Sequence, residues 1–280
     1  MEYIKINSAQ ALKDKLRTIA KEKDVEFSLI MRDYIYDRFI ERLSKSKYKD
    51  KFILKGGFFI SKVFGIDSRS TVDIDTAVQK TKLTEENIVK MINEIISIDV
   101  NDNVVFEIEK VEPIREDDEY GGIRVTIKYS LEEMKQKFHI DIATGDPIYP
   151  GPEEFSYEPL IKDDTYKVLS YTLETVLAEK IETILRRLEK SSRPKDFYDI
   201  YLIHEHEYHK INKTRLRKAV EQTFKKREFN SDLLECLNIV RKSKILETRW
   251  NSYSKKNKYA KDIEYSKTID CLEDFVRIIL

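Results

Sequence analysis

Apolar residues recur at helical spacing through residues 8–46, first as Leu12, Leu16 and Ile19, then as Phe27, Ile30, Met31, Tyr34, Ile35 and Phe39. An apolar stripe with that period predicts two amphipathic helices. The period then changes. "FILK" (52–55) reads as a short strand, Gly56-Gly57 as a tight turn, "FFISKVFG" (58–65) as a helix closed by Gly65, and "TVDIDTAV" (71–78) as a second strand. A helix over about 84–97 follows, with Thr84 as its N-cap, and then strand patterns at "NVVFEIEKV", "GIRVTIKYS" and "KFHIDIAT". Strands mixed with a helix predict an α/β or α+β core. The region holding Gly145, Pro147, Pro150, Gly151, Pro152 and Pro159 predicts a linker or long surface loop. Beyond Tyr171 the pattern is helical to the end. Neither repeats nor low-complexity tracts interrupt it.

Composition narrows the class. A chain of 280 residues, 41% apolar and 36% charged, can bury a large core and remain soluble. Cys236 and Cys271 form neither a disulfide framework nor a metal-ligand spacing, so a reducing compartment is expected and structural zinc is not. "MEYIKINSAQALKDK" lacks an apolar signal core, and no run approaches a membrane span; a cytoplasmic location without a membrane partner is expected. The net charge of zero hides an asymmetry: residues 208–262 carry 16 Lys and Arg against 6 Asp and Glu. That segment suits a polyanion such as RNA, with Trp250, Tyr253 and Tyr259 available for stacking, or is simply a solvated helical surface.

The chemistry concentrates in "LKGGFFISKVFGIDSRSTVDIDTAV" (54–78). In a strand, Asp73 and Asp75 share one face, roughly 7 Å apart, while Ile74 and Thr76 take the other. Alone, such a pair fits the wet side of a half-buried strand. "FHIDIAT" adds Asp141, on the same strand face as His139, and three strand-borne carboxylates suit a divalent cation of the kind used in phosphoryl transfer. Gly56-Gly57 then offers backbone amides at a helix start to a phosphate, although a strand-to-helix turn needs glycine for its own reasons.

Taken together, this order of features resembles the nucleotidyltransferase fold superfamily. More narrowly, residues 54–78, with Arg69 and Thr71 ahead of the aspartates, are similar to the first motif of the AbiEii/AbiGii-type nucleotidyltransferase toxins, which include the MenT-type toxins. "YTLETVLAEKIETILRRLEKSSRPKDFYDIYLI" (171–203) resembles their second region. The resemblance spans about residues 50–205. It implies a nucleotidyltransferase-fold domain with a mixed sheet and a helical prefix (1–165), a helical C-terminal domain (166–280), and an active site in the cleft between them. It further implies Mg²⁺ or Mn²⁺ on Asp73, Asp75 and Asp141, an NTP against Gly56, Gly57, Arg69, Thr71 and Lys180, and active-site roles for Lys180 and for Asp196 or Asp199. The acceptor would be the 3′ end of a tRNA or another RNA, or a protein. The biological setting would be a toxin–antitoxin or phage-defence pair with a separate cognate antitoxin. Many superfamily members carry Ser after the first glycine; here Gly57 takes that place, which leaves phosphate binding to amides and Lys180, with Ser61 or Lys55 as further candidates.

Read by itself, Lys180 falls within the apolar stripe Leu173, Val176, Leu177, Ile181, Ile184 and Leu188, so it needs an anion or must snorkel; Glu179 and Glu182 point away from that stripe. Pro194 and Asp196 suit a helix start. Asp199, among Phe197, Tyr198, Ile200, Tyr201, Leu202 and Ile203, needs a partner if buried. "HEHEYHK" (204–210) reads as a solvated helix end, since His204 and His206 do not share a helical face. Two other functions stay open: an inactive nucleotide- or RNA-binding module on the same scaffold, and a metal-dependent nuclease, which would have no use for the glycine turn.

Overall fold

The computed structural model describes residues 9–114, 121–161 and 164–280. The chain forms two compact units, Met1–Gly145 with Glu153–Ser170, and Asp146–Pro152 with Tyr171–Leu280. Residues 1–8, which open the stretch read as lacking a signal core, lie outside the described residues.

The first unit begins with helices α1 (Ala9–Glu22) and α2 (Phe27–Lys45). Strand β1 (Phe52–Leu54), helix α3 (Gly56–Phe64), strand β2 (Asp73–Val78) and helix α4 (Glu85–Ile96) follow, with Thr84 capping α4 by accepting from the Asn87 N–H. Strands β3 (Val104–Ile114), β4 (Gly122–Leu131), β5 (Met134–Ala143), β6 (Glu153–Tyr157) and β7 (Tyr166–Ser170) complete a seven-stranded sheet in the order β3-β4-β5-β2-β1-β7-β6. It is a mixed sheet: β2 runs parallel to β5 and β1 to β7, and the other pairs are antiparallel.

Two elements depart from the sequence pattern. Gly56 and Gly57 are the first residues of α3 rather than a separate turn, with Gly56 at φ +58°. The Pro- and Gly-rich region contains β6, an edge strand in which only Tyr157 is buried; charge and flanking prolines hide such a strand from periodicity. Its partner β7 is likewise absent from that reading.

The two faces of the sheet differ in chemistry. Val125, Ile127, Phe138, Ile140, Ile142 and Ile74 point to the core, where Phe138 meets Tyr36 and Phe39 of α2 and Phe106 of β3 with rings inclined or edge to face. Alternation sends Asp73, Asp75, His139, Asp141 and Arg124 to the other face. Helix α3 is braced from behind: buried Lys62 reaches Asp33 at 2.6 Å and Asp37 at 2.9 Å on α2, and Asp37 also accepts from the Tyr157 hydroxyl and the Leu160 N–H, both at 2.6 Å. These links hold the direction in which α3 begins.

The second unit is helical: α5 (Leu173–Arg187), α6 (Pro194–Glu207), α7 (Lys213–Lys226), α8 (Leu233–Lys242), α9 (Lys244–Lys256) and α10 (Tyr265–Ile279). Side chains of Thr172, Asn212, Asp232 and Ser243 cap α5, α7, α8 and α9. Helix α5 packs on α6, α7 and α8, and α10 on α6, α7, α8 and α9. Trp250 is fully buried, its indole N–H donating to the Ile263 carbonyl, so it is a core residue and is not available to stack on a base. Among the described residues no helix is long and apolar enough to cross a membrane.

Candidate active site

Register builds the acidic face. Asp75 of β2 lies beside Asp141 of β5, Asp73 lies beside His139, and Arg124 of β4 lies beside Asp141 on its far side. Adjacent strands are roughly 4.8 Å apart, so Arg124, Asp141 and Asp75 form a row across three strands. The Thr76 hydroxyl donates to the Asp141 carbonyl at 3.2 Å and ties the two acid-bearing strands together. Tyr36 from α2 donates to the Val72 carbonyl at 2.6 Å, fixing the entry to β2.

The glycine pair is explained by what stands next to it. A Cβ on Gly56 would sit 2.7 Å from Asp75 Oδ2, and its positive φ disfavours any other residue. A Cβ on Gly57 would sit 2.9 Å from an Arg69 guanidinium nitrogen and 3.6 Å from Thr71 Oγ1. Gly56, Gly57, Arg69, Thr71 and Asp75 are therefore brought together. The Phe58 N–H points to Asp75 Oδ2 at 3.4 Å, so the amide end of α3 opens onto the acidic face. Arg69 is buried and its guanidinium donates to the Ser70 carbonyl. Ser61 is not part of this group: it is buried and its hydroxyl donates to the Phe58 carbonyl at 2.7 Å, which removes it as a phosphate ligand.

Charge on the face is unbalanced. Burial, and next the charge of Asp141, push the Asp73 carboxyl above its ordinary value; Asp75 adds to this and Arg124 opposes it. Arg124 grips Asp141 with two hydrogen bonds of 2.7 Å, from Nε to Oδ1 and from Nη2 to Oδ2. This residue was missed in the sequence. Alternation in "GIRVTIKYS" places Arg124 on the polar face, but no pattern reveals which strand, or which register, lies beside it. Among the described residues the ion pair on this face engages Asp141, and three carboxylates on one face are a donor set that fits a hard divalent cation.

The second unit holds a different constellation. Lys180 Nζ lies 2.8 Å from Asp196 and 2.6 Å from Asp199, with all three side chains buried, and Arg193 reaches Asp196 at 2.9 Å. The lysine therefore does not snorkel; its anions come from the next helix, which helical periodicity within α5 could not show. Burial alone would lower the Lys180 pKa, but Asp196 and Asp199 outweigh it and raise it. Burial would likewise raise Asp196, yet Lys180 and Arg193 hold it well below the usual carboxylate range.

Of the histidines, His206 and His209 are exposed, as a solvated helix end requires, whereas half-buried His204 bonds Asp274 at 3.0 Å. Among the described residues, His204, Glu205 and Cys271 bring three donor atoms within 4.8 Å of one another; Lys267, 3.1 Å from Glu205, already balances that carboxylate. Asp73, Asp75 and Asp141 share a face without forming such a convergent group.

Comparisons with solved structures return low likenesses. A candidate nucleotidyltransferase from H. pylori is 13% identical, with a TM-score of 0.49, covering 97% of this chain and 95% of that one. JHP933 from Helicobacter pylori is 13% identical, with a TM-score of 0.44 and coverages of 84% and 98%. An antigenic nucleotidyltransferase-like protein from Paracoccidioides brasiliensis is 14% identical, with a TM-score of 0.41 and coverages of 73% and 93%. No curated protein matches the sequence. The family described as "Nucleotidyl transferase AbiEii toxin, Type IV TA system" does match, over residues 38–271. That span takes in the glycine pair, all three strand-borne acids and the Lys180 cluster, and the chain belongs to the AbiEii family of nucleotidyltransferase toxins of toxin–antitoxin systems.

Proposed function

We propose that the protein transfers a nucleoside monophosphate from an NTP to an acceptor hydroxyl at the 3′ end of a tRNA or another RNA, with Mg²⁺ or Mn²⁺. The observation that carries this reading is the meeting of the α3 amide end, held open by Gly56 and Gly57, with the acidic face that bears Asp73, Asp75 and Asp141. Amides at a helix start attract phosphate, and Arg69 and Thr71 beside Gly57 extend that cradle. Asp73 and Asp75, with Asp141, would hold the cation. When bound, it neutralises phosphate charge and favours attack on the α-phosphate with loss of pyrophosphate. The resemblance assigns Lys180, Asp196 and Asp199 to nucleotide chemistry as well, and we include them in that role. The basic segment 208–262 supports an RNA acceptor by phosphate contacts, with Trp250 withdrawn from any stacking role. A cognate antitoxin and a role in phage defence belong to the family reading, and the two isolated cysteines suit a cytoplasmic setting.

The test is transfer of label from each of the four NTPs, radiolabelled at the α-phosphate, to total RNA with Mg²⁺. Label that appears with wild type and vanishes with Asp75→Ala supports the reading and identifies the nucleotide. Absence of label on RNA with every NTP overturns RNA as the acceptor.

A further inference from the structure

Arg124 is a cation already present on the acidic face. Its guanidinium makes a fork-to-fork pair with Asp141, both bonds at 2.7 Å, in a partly exposed setting where its side chain is 36% accessible and that of Asp141 20%. Such a pair is geometrically demanding but open to competition from solvent and ions, unlike a buried one. Its place is informative. Strand register puts Arg124 at one end of the row and the α3 amide end at the other, with Asp141 and Asp75 between them. The pair also engages both oxygens of Asp141, the atoms that this side chain would offer to a cation.

We propose that Arg124 is a positioning residue that withholds Asp141 from divalent cations, so that the resting face binds one cation through Asp73 and Asp75 and admits a second, between Asp75 and Asp141, only when Arg124 releases its partner. This rests on the cation site of the proposed function and adds an order of assembly to it. Arg124 does not touch the reacting atoms; it acts through Asp141. A lysine in its place would keep the charge but lose the planar fork that occupies both oxygens.

Mn²⁺ binding to the full chain, followed by the electron-spin signal of the free ion, tests this without any turnover. Wild type is expected to bind one Mn²⁺, lost in Asp75→Ala. Arg124→Ala is expected to bind a second, Arg124→Lys to bind it more weakly, and Arg124→Ala with Asp141→Asn to return to one. Superimposable titrations for wild type and Arg124→Ala, or two ions already bound to wild type, overturn the proposal. Failure of both wild type and Arg124→Ala to bind any Mn²⁺ overturns the underlying cation site as well, and so separates the two failures. Arg124→Lys covers the case in which the alanine variant does not fold, because it retains the charge balance of the sheet.

Discussion

The acidic face of the sheet and the Lys180 cluster both set basic side chains against aspartates, but they resolve their charges in opposite ways. On the sheet, Asp73, Asp75 and Asp141 are half-buried, Arg124 serves one of them, and Asp73 is left with a raised pKa. In the helical unit, Lys180, Asp196 and Asp199 are buried with contacts of 2.6–2.8 Å, and Arg193 supplies a further charge to Asp196. Unbalanced charge is tolerable only where water or an arriving cation can reach it; balanced charge can be buried, where it fixes the packing of one helix on another. The first arrangement is suited to recruiting a ligand. The second rigidifies α5 against α6 whatever else it does.

The contrast is most exposed at Asp75 and Lys180. Asp75→Ala is expected to reduce nucleotide transfer by at least about a hundredfold to a thousandfold, the scale seen when one electrostatic contributor to a polar transition state is removed. Its thermal midpoint should stay close to wild type, because the mutation relieves like-charge repulsion. Lys180→Met should cost stability as well as activity, about 3–5 kcal/mol, by removing the cation that two buried aspartates share, read as a drop in denaturation midpoint. If Lys180→Met melts like wild type, the cluster is not a structural brace and the contrast fails. A return of stability in Lys180→Met with Asp196→Asn and Asp199→Asn would strengthen it.

Gly56→Ala comes next. Its Cβ would press on Asp75 and take a φ of +58°, a conformation costing roughly 1–2 kcal/mol for an L-residue. Activity should fall more than stability, since the atom displaced is a carboxylate oxygen of the site; equal activity in Gly56→Ala would show that Asp75 moves aside freely.

The smallest effect is the dependence of stability on pH. Asp196 has a folded pKa below its ordinary value of 3.8, so its contribution is present above that pH and is lost as pH falls further, because the unfolded chain takes up the proton first. Lys180 is raised above 10.5, so its contribution is complete below that pH and is lost as pH rises through the folded value. Urea midpoints measured across this range should lose part of their acid and alkaline slopes in the triple variant Lys180→Met, Asp196→Asn, Asp199→Asn. Unchanged slopes would place the titrating groups elsewhere.

Much of this site was legible because its residues are close in sequence. Gly56-Gly57, Arg69, Thr71, Asp73 and Asp75 lie on one strand–helix–strand unit, where local geometry sets which side chains meet. Asp141 was legible as an acid in an apolar strand. Its pairing with Arg124 was not, since neighbours across a sheet are set by register and not by spacing along the chain. Lys180 was readable as needing either an anion or a snorkelling route, while the anion and the choice of Asp196 and Asp199 depended on how α6 crosses α5. Trp250 was misplaced because an aromatic among lysines looks exposed until the packing of its helix is known.

The sequence by itself therefore determined the element order as far as β5, the Thr84 cap, the glycine-to-aspartate unit and the family, all of which depend on the identity of residues a few positions apart. Tertiary structure decided the seven-strand order, the edge pair β6–β7, the partner of each buried charge and the place of Arg124. The physical reason is range: backbone propensity and alternation act over one or two turns of chain, whereas charge pairing and burial are satisfied by whichever groups the completed fold brings within contact.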